Sequence, residues 1–396
     1  MVLKPGKDPT DVTSYRPISL LSTISKTLEK LISRQISNDT DLNTWVPHHQ
    51  FGFRKAHSTI QQCHRITHTV NTALENKQFC TAAFLDVSQA FDKVWHPGLL
   101  YKIKQLLPLG YFPLLKSYLQ DRTYVTKVNT AQSTVHHIYS GVPQGSILGP
   151  LLYTIYTSDL PTSIHTEIST FADDTAIVAV DANPITATHK LQEHLSRVGD
   201  WLRKWRIKVN QAKSMHVMFT NRTGQCPPIY IDQQPIPQGT SVKYLGMHLD
   251  SKLTWREHIL NKRKQLDHKT RKLLWLIGRN SPLSLENKLL IYKIILKPVW
   301  TYGIALWGCA SKSNISIIQR YQSKLLRIIT NAPWYVTNQT LHSDLRVQYV
   351  QSVRDEYTRK HRSTLEHHPN PSVKPLFNYI HQTRRLKRRW TFDAIN

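Results

Sequence analysis

The sequence contains few acidic residues for its number of basic ones, and the shortage is uneven along the chain. In 396 residues there are 26 Asp and Glu against 52 Lys and Arg, a formal net charge of +26. Residues 1–200 hold 18 basic and 16 acidic residues, a net of +2, whereas residues 201–396 hold 34 and 10, a net of +24. This asymmetry indicates that residues 201–396 bind a polyanionic partner. An ordinary solvated surface would not need so large an excess of basic residues in one half.

Cysteine and long hydrophobic runs are also scarce. The four cysteines form no Cys-x-x-Cys pair, which argues against a disulfide framework or a zinc knuckle and favours a reducing compartment. The most apolar late stretch, residues 298–310, is too short to span a bilayer, and Lys4, Lys7 and Asp8 interrupt any early apolar run. We therefore expect a protein of the nucleus or cytoplasm that is neither secreted nor embedded in a membrane.

Hydrophobic patterning predicts a globular chain of mixed helices and strands. A hydrophobic content of 40% excludes a wholly disordered chain, and 396 residues suffice for two or three domains. Helices are predicted over residues 25–36 and 150–159, and residues 97–120 are predicted to be mostly helical. Strands are predicted over 81–87, 215–219 and 242–249. Residues 169–180 form a predicted hairpin with Asp173 and Asp174 at its tip. From Trp255 onward the chain is predicted to be helical and basic.

A further helix has a well-defined start. Asn183 is a good N-cap and Pro184 suits the first turn. Apolar residues then recur at spacings of 4, 3, 4 and 3, which predicts one buried stripe. These residues are Leu191, Leu195, Val198, Leu202 and Trp205.

Two acidic loci stand in apolar surroundings. Asp86 ends the predicted strand 81–87, and Asp173 and Asp174 occupy the hairpin tip. Carboxylates in such settings are costly unless they are paired or bound to a cation, and adjacent like charges add to the cost. Taken alone, each locus favours the simpler interpretation, which is a turn for Asp173 and Asp174 and a local cap for Asp86. Together, in a basic chain, they favour a pair of Mg²⁺ ions used for phosphoryl transfer.

Three blocks, in this order, resemble motifs A, B and C of reverse transcriptases, and most closely those of jockey-type non-LTR retrotransposons (LINE elements). They are residues 84–92 (FLDVSQAFD), 141–150 (GVPQGSILGP) and 171–174 (FADD). Other blocks resemble the two fingers motifs (4–7 with 14–21, and 50–54 with 58–59), motif D (Asn210 and Lys213) and the primer grip (244–246). Each block is weak alone, but the ordered series over about residues 1–345 is specific.

The resemblance implies an α+β right-hand polymerase fold with fingers, a palm built on a small antiparallel sheet, and a helical thumb. We expect partial fingers in residues 1–80 and a palm with inserted fingers elements in 81–250. A basic helical thumb is expected in 251–330, where it would follow the backbone of a duplex. A C-terminal extension that is disordered in part is expected in 331–396, and its last thirty residues are expected to be loosely packed.

The resemblance also implies a metal site. Asp86 and Asp173 would bridge two Mg²⁺ ions, for which Mn²⁺ can substitute, with Asp174 nearby and the main-chain carbonyl of Val87 as a further ligand. In this family the ions align the 3′-hydroxyl of a primer with the α-phosphate of a dNTP.

Three further residues would contact the nucleotide and the template–primer. Phe91 corresponds to the aromatic residue that lies under the sugar and blocks a 2′-hydroxyl, which favours dNTP over rNTP. Without the motif, the same residue is typical of a core aromatic. Gln144 would contact the template–primer and the incoming nucleotide, and Gly145 would let the backbone approach them closely.

Basic residues would complete the site. Arg16 and Lys4 would reach the triphosphate from the fingers, since a guanidinium fork and a point charge both suit phosphate oxygens. Lys213 would lie near the departing pyrophosphate and could donate a proton to it.

The expected function is therefore that of an RNA-directed DNA polymerase, with an RNA template, a DNA primer or nicked DNA target, and dNTP as partners. The alternative is an inactive relic that binds nucleic acid through its basic back half. A metal-dependent nuclease also uses clustered acids, but it would not explain Phe91 or the loop at Gln144 and Gly145. The chain begins inside the first fingers motif and carries no endonuclease segment, so we expect a fragment of a longer reading frame.

Overall fold

A computed structural model describes residues 2–3, 8–11, 14–128, 130–377, 384–393 and 395 of the chain. The helices are α1 (Thr23–Asp39), α2 (Leu42–Trp45), α3 (Thr59–Glu75), α4 (His96–Leu106), α5 (Tyr111–Leu119), α6 (Leu148–Tyr156), α7 (Pro184–Lys204), α8 (Arg256–Ile277), α9 (Leu285–Ile291), α10 (Lys297–Thr301), α11 (Ile304–Trp307), α12 (Lys312–Thr330), α13 (Asn338–Asp344), α14 (Val350–Glu366) and α15 (Lys374–Phe377). A π-helical turn, Tyr292–Leu296, connects α9 to α10.

The strands are mostly short. They are β1 (Val2–Leu3), β2 (Tyr15–Arg16), β3 (Phe79–Leu85), β4 (Thr123–Tyr124), β5 (Lys127–Val128), β6 (Ala131–Gln132), β7 (His136–His137), β8 (Thr166–Phe171), β9 (Asp174–Asp181), β10 (Met215–Phe219), β11 (Tyr230–Ile231), β12 (Gln234–Pro235), β13 (Gln238–Gly239), β14 (Ser241–Tyr244) and β15 (Met247–Asp250). None of the described helices is both long and apolar enough to cross a membrane.

One five-stranded sheet organises the molecule, with the strand order β13-β10-β3-β9-β8. All neighbours are antiparallel except β10 and β13, which are parallel. Every residue of the central strand β3 is buried, as expected for an apolar strand covered on both faces. The predicted α+β class with a small, mainly antiparallel sheet is confirmed.

Alternate residues of β3 enter two different hydrophobic cores. Phe84 packs with α3 and the helices from α8 onward, whereas Leu85 packs with α4, α6 and α7. This separation follows from the two-residue period of a strand. The sheet is thus fixed from both faces, and the residues after β3 leave it at a defined position.

The predicted hairpin and the capped helix are both confirmed. Strands β8 and β9 pair antiparallel up to Phe171 opposite Asp174. Asn183 caps α7 through its side chain, which accepts a hydrogen bond of 2.9 Å from the Ile185 N–H, and Pro184 occupies the first turn. The predicted apolar stripe of this helix is buried: Leu191, Leu195, Val198, Leu202 and Trp205.

One predicted strand differs from the structure. The single strand predicted over 242–249 is a hairpin, β14 and β15, turned at Leu245 (φ 44°) and Gly246 (φ 77°). Leucine rarely occupies the left-handed region, so a turn was not predicted at this apolar residue. The prediction that residues 97–120 are mostly helical is confirmed: α4 and α5 cover most of them, and they are separated at Pro108, which cannot continue a helix.

The expectation of a loosely packed end is wrong for the described residues 384–393. Trp390 and Phe392 are both buried. Their rings contact His68 and His64 of α3, with centroids 5.9 and 5.5 Å apart. This part of the chain therefore covers the outer side of a helix that packs on the central sheet.

Candidate active site

Strand register brings the two acidic loci together. Leu85 of β3 lies opposite Thr175 of β9, so Asp86 leaves the sheet beside Asp174 at the hairpin tip. Residues opposite each other in paired strands have Cα atoms about 4.5–5.5 Å apart. Asp86 and Asp173 also line the same cleft. The structure therefore brings together carboxylates that are almost 90 positions apart in the sequence.

The backbone of Asp86 is held by the segment that resembles motif D. Its N–H donates to Ser214 Oγ (3.1 Å), and its carbonyl accepts from the Asn210 N–H (2.8 Å). Ser214 Oγ donates in turn to the Asn210 carbonyl (2.8 Å). Val87 forms an isolated antiparallel bridge with Val209. These bonds fix the backbone at Asp86 and Val87, and both residues line the cleft.

The tip of the acidic hairpin is supported by loop 47–57, the segment between α2 and α3. Ala172 adopts a left-handed φ of 58°, which is unfavourable for any residue with a Cβ. Its N–H donates to Gln50 Oε1 (3.0 Å), and Thr170 exchanges backbone bonds with His49 and Phe51 (3.0 and 2.9 Å). The loop therefore holds the turn from outside the sheet.

Glycine at position 52 makes this contact between the loop and the turn possible. A Cβ at Gly52 would lie 2.3 Å from the Ala172 nitrogen, far closer than any allowed contact. The sequence associated residues 50–54 only with the fingers. A lone glycine in a loop gives no sign of which backbone it approaches, so this support of the hairpin was not predicted.

Electrostatics at the tip favour a bound cation. Loss of solvation, followed by the charges of Asp173 and Asp86, raises the pKa of Asp174 to about 6. A partly buried carboxyl group beside two further carboxylates offers oxygen donors only, which suits a hard divalent ion. Among the described residues, no three His, Cys, Asp or Glu side chains are close enough to hold a metal as they stand. The acids of the tip are therefore neighbours whose side chains would have to close around an ion when it binds.

The cleft beside these acids has a volume of about 840 Å³ and is open to solvent. Most of the candidate residues predicted from sequence line it. These are Asp86, Val87, Phe91, Gln144, Gly145, Asp173 and Lys213. Tyr15 and Phe53 line it as well, although the sequence assigned them no role in the site.

Phe91 is fixed at the cleft wall by two rings. It stacks on Tyr153 with centroids 4.6 Å apart and planes 17° apart. Phe53 meets it edge-on at 5.8 Å and 85°. Stacked and edge-on aromatic pairs stabilise a defined ring position, so the Phe91 ring cannot swing away without losing both contacts.

The loop at Gly145 is held between two parts of the chain. The Gln144 carbonyl accepts from the Ser19 N–H (2.8 Å), and Gln144 Nε2 donates to Asp92 Oδ1 (2.9 Å). Gly145 has a φ of 98°, and a Cβ there would lie 3.0 Å from the Ser19 carbonyl oxygen. Gly145 thus lies close to the segment that follows β2, and the approach expected of it to the template–primer and nucleotide stays a prediction.

Glu29 anchors the other end of this loop and was missed by the sequence analysis. It is buried, and its carboxylate accepts hydrogen bonds from the Ile147 N–H (2.6 Å) and the Tyr118 hydroxyl (2.8 Å). A carboxylate is favourable at the N-terminal end of a helix, here α6, because of the free N–H groups and the helix dipole. In the sequence Glu29 is one charged residue in an amphipathic helix, which gives no sign of this role.

The structure describes the surroundings of the three predicted basic residues less fully. The backbone N–H of Lys213 donates to Asn210 Oδ1 (3.2 Å), at the edge of the cleft. Arg16 belongs to β2, which pairs with β1 next to the cleft residue Tyr15. Lys4 lies outside the described residues. The roles predicted for these three residues stay predictions.

Residues 2–249 match the family model described as reverse transcriptase (RNA-dependent DNA polymerase). The match covers more than half of the chain, so this protein belongs to the reverse transcriptase family. Membership confirms the predicted right-hand polymerase fold, with the five-stranded sheet in the palm, and enzymes of this family generally use divalent metal ions. The boundaries predicted for fingers, palm and thumb stay predictions.

Curated relatives identify the branch of the family. The chain is 43% identical over 400 residues to the probable RNA-directed DNA polymerase from transposon X-element of Drosophila melanogaster. It is 40% identical over 414 residues to the RNA-directed DNA polymerase from mobile element jockey of the same organism. Both alignments cover 100% of this chain but only 44% and 45% of the relatives. The predicted resemblance to jockey-type elements is confirmed, and the chain spans less than half of the relatives' length.

Solved structures give a weaker likeness. A structure of telomerase from Candida tropicalis with a TWJ fragment of telomeric RNA has a TM-score of 0.42 and 12% identity, covering 90% of this chain and 57% of that one. The corresponding Candida albicans structure has a TM-score of 0.44 and 11% identity, covering 89% and 54%.

Proposed function

We propose that this chain is the RNA-directed DNA polymerase part of a jockey-type non-LTR retrotransposon protein. It adds dNTPs to the 3′ end of a DNA primer, or of a nicked DNA target, using RNA as template. One observation carries the proposal: in a member of the reverse transcriptase family, Asp86 emerges beside Asp173 and Asp174 at the edge of a cleft large enough for a nucleotide.

Asp86 and Asp173 would hold two Mg²⁺ ions, or Mn²⁺, with Asp174 and the Val87 carbonyl beside them. When bound, the ions align the primer hydroxyl with the α-phosphate and neutralise charge that develops on the phosphates. The raised pKa of Asp174 supports this assignment, because a bound cation would offset both the loss of solvation and the neighbouring negative charges that raise it. The bonds of Asp86 to Ser214 and Asn210 keep one side of the site in place.

The other residues position the nucleotide and template–primer. The ring of Phe91 would meet the sugar, and a bulky ring there leaves no room for a 2′-hydroxyl. Gln144 and Gly145 would face the newly formed base pair. Arg16 and Lys4 would bind the triphosphate, and Lys213 would give a proton to the departing pyrophosphate.

The basic back half supports binding of the template–primer duplex. Helix α8 begins just after Trp255 and carries several exposed cationic residues. They are Arg256, Lys264, Lys269, Arg271 and Lys272. Contacts between such residues and phosphates release counterions, so binding is expected to weaken steeply as salt rises.

Primer extension on poly(rA)/oligo(dT) tests the proposal. We expect Mg²⁺-dependent dTMP incorporation by the native chain and a loss of about 100-fold or more in Asp173→Asn, because one metal-bridging carboxylate is removed. Binding of the same template–primer, measured by fluorescence anisotropy over a salt series, should be nearly equal for the two proteins. Binding without incorporation by either protein would instead support the inactive relic.

A further inference from the structure

Residues beyond the matched family model contact the loop that supports the acidic hairpin. The family match ends at residue 249. Residues 365–377, which we call the bracing segment, run from the end of α14 through α15 and lie against loop 47–57. The resemblance to reverse transcriptases implies no role for this segment.

Three polar contacts join the bracing segment to loop 47–57. Asn370 Nδ2 donates to the His48 carbonyl (2.8 Å) and lies 3.0 Å from His57 Nε2. His368 Nε2 lies 2.9 Å from the Ala56 carbonyl oxygen. Asn370 and His368 are both buried, so these groups have no water to replace a lost partner.

Hydrogen bonding defines the proton positions in this contact. His368 Nδ1 accepts from the Asn370 N–H (3.1 Å), so its Nε2 carries the proton and donates to Ala56. His57 Nδ1 lies 2.7 Å from the Lys55 carbonyl and must donate to it, which leaves Nε2 to accept from Asn370. Asn370 Oδ1 accepts from the Ser372 N–H (2.9 Å). Every polar group of the Asn370 side chain is therefore hydrogen-bonded, which is typical of a specific contact.

An apolar cluster lies beside these bonds. Phe51 of loop 47–57 is completely buried among side chains from the later part of the chain. The cluster consists of Phe51, Leu365, Val373, Leu376 and Phe392. Phe171, the last residue of β8 before the hairpin turn, packs against it. One cluster thus contacts both the bracing segment and the acidic hairpin.

Loop 47–57 completes the connection on its other side. Gln50 accepts from the Ala172 N–H, and Phe51 and His49 bond to Thr170. The turn that carries Asp173 has Ala172 in the left-handed region and two adjacent carboxylates, so contacts from outside the hairpin stabilise it. Contacts therefore run without interruption from Asn370 through the loop to the turn.

We propose that the bracing segment holds the acidic hairpin in its catalytic position through loop 47–57, with Asn370 and His368 as positioning residues. The inference rests on the function proposed above. It means that residues outside the reverse transcriptase family model help to set the geometry of the metal site.

The variants Asn370→Asp and His368→Ala test the proposal, with His367→Ala as a matched control. His367 is the adjacent histidine and is exposed, so its loss removes an equal side chain from the same segment. Asn370→Asp keeps the shape of the side chain but removes both N–H donors. All proteins are assayed well below the lowest melting temperature of the set.

Hydrogen–deuterium exchange of residues 168–176 is the first measurement. We expect faster exchange in Asn370→Asp and His368→Ala and native exchange in His367→Ala, because only the first two loosen the loop that holds the turn. Native exchange in all three variants would overturn the proposal, whether or not the chain polymerises.

Primer extension with a Mg²⁺ titration is the second measurement. We expect Asn370→Asp and His368→Ala to lower kcat about tenfold and to need more Mg²⁺ for half-maximal rate, with KM for the template–primer within about twofold of native. A loss confined to KM would mean that the segment serves nucleic-acid binding and would overturn the proposal. An inactive native chain would count against the proposed function. Hydrogen–deuterium exchange would still show whether the bracing segment holds the acidic hairpin.

Discussion

Phe91 gives the clearest prediction at the scale of single residues. Its ring is held between Tyr153 and Phe53 at the wall of the cleft. We expect Phe91→Ala to raise rNTP incorporation relative to dNTP by about 10-fold or more, because the space for a 2′-hydroxyl opens. The ratio of kcat/KM for rTTP and dTTP on poly(rA)/oligo(dT) measures it. Tyr101→Ala, an exposed aromatic on α4, is the control, and an unchanged ratio in Phe91→Ala would remove the assignment.

Asp174 gives a second prediction, on stability. In the folded, metal-free protein it keeps its proton up to about pH 6, whereas the unfolded chain releases it near pH 4. Its contribution to stability is therefore present at low pH and lost as the pH rises through 6. We expect Asp174→Asn, which cannot ionise, to raise the melting temperature in EDTA at pH 7.5, and to do so less at pH 4.5.

Melting curves of native protein, Asp174→Asn and the surface variant Asp200→Asn at both pH values check this expectation. Asp200 is exposed and pairs with Arg203 on α7, so its loss should change little at either pH. An equal increase for Asp174→Asn at both pH values would show that the residue does not titrate in this range.

At the scale of elements, the contact of loop 47–57 with the hairpin turn can be tested through its glycine. Gly52→Ala places a methyl group 2.3 Å from the Ala172 nitrogen, so the loop or the turn must move. We expect a loss of about 1–3 kcal/mol in the free energy of unfolding and a reduced kcat. Urea unfolding and primer extension measure these two effects.

Gly110→Ala is the control for this substitution. Gly110 has a right-handed backbone, and a Cβ there would meet no atom within 4 Å. Its replacement should leave stability and kcat close to native. If Gly52→Ala behaved in the same way, the close contact at the turn would be refuted.

Elements that depend on local signals could be predicted from the sequence, and elements that depend on distant contacts could not. Asn183, Pro184 and the apolar stripe after them defined α7, and two apolar runs on either side of an acidic pair defined the β8–β9 hairpin. The turn at Leu245 was missed because a leucine in the left-handed region has no local signature. The roles of Gly52 and Glu29 were missed because each depends on a partner more than 100 residues away.

At the scale of the whole molecule, buried histidines predict sensitivity to acid. Burial lowers the pKa of His49 and His258 to about 3 and of His216 and His361 to about 4. In the unfolded chain these histidines bind protons near pH 6.5. Their contribution to the free energy of unfolding is therefore complete above that pH and is lost as the pH falls towards 4. Each such group can contribute up to about 1.4 kcal/mol per pH unit.

Urea unfolding at pH 7.5, 6.0 and 5.0 measures this loss. We expect the free energy of unfolding to fall increasingly steeply over the series, although the raised pKa of Asp174 acts in the opposite direction. Four histidines outweigh one carboxyl group, so the net change is a loss of stability. Constant stability from pH 7.5 to 5.0 would contradict the neutral, buried state of these histidines.

The hydrogen bond between Asn370 and His57 has a consequence for folding during synthesis on the ribosome. Its two partners are 313 positions apart. A ribosome adding 5–20 residues each second needs roughly 15–60 s to travel that distance. The acidic turn is synthesised between these two partners, so it waits about two-thirds of this interval before Asn370 is made. A shortened translation product would therefore keep every motif of the polymerase and lack the bracing segment that we propose positions the acidic hairpin.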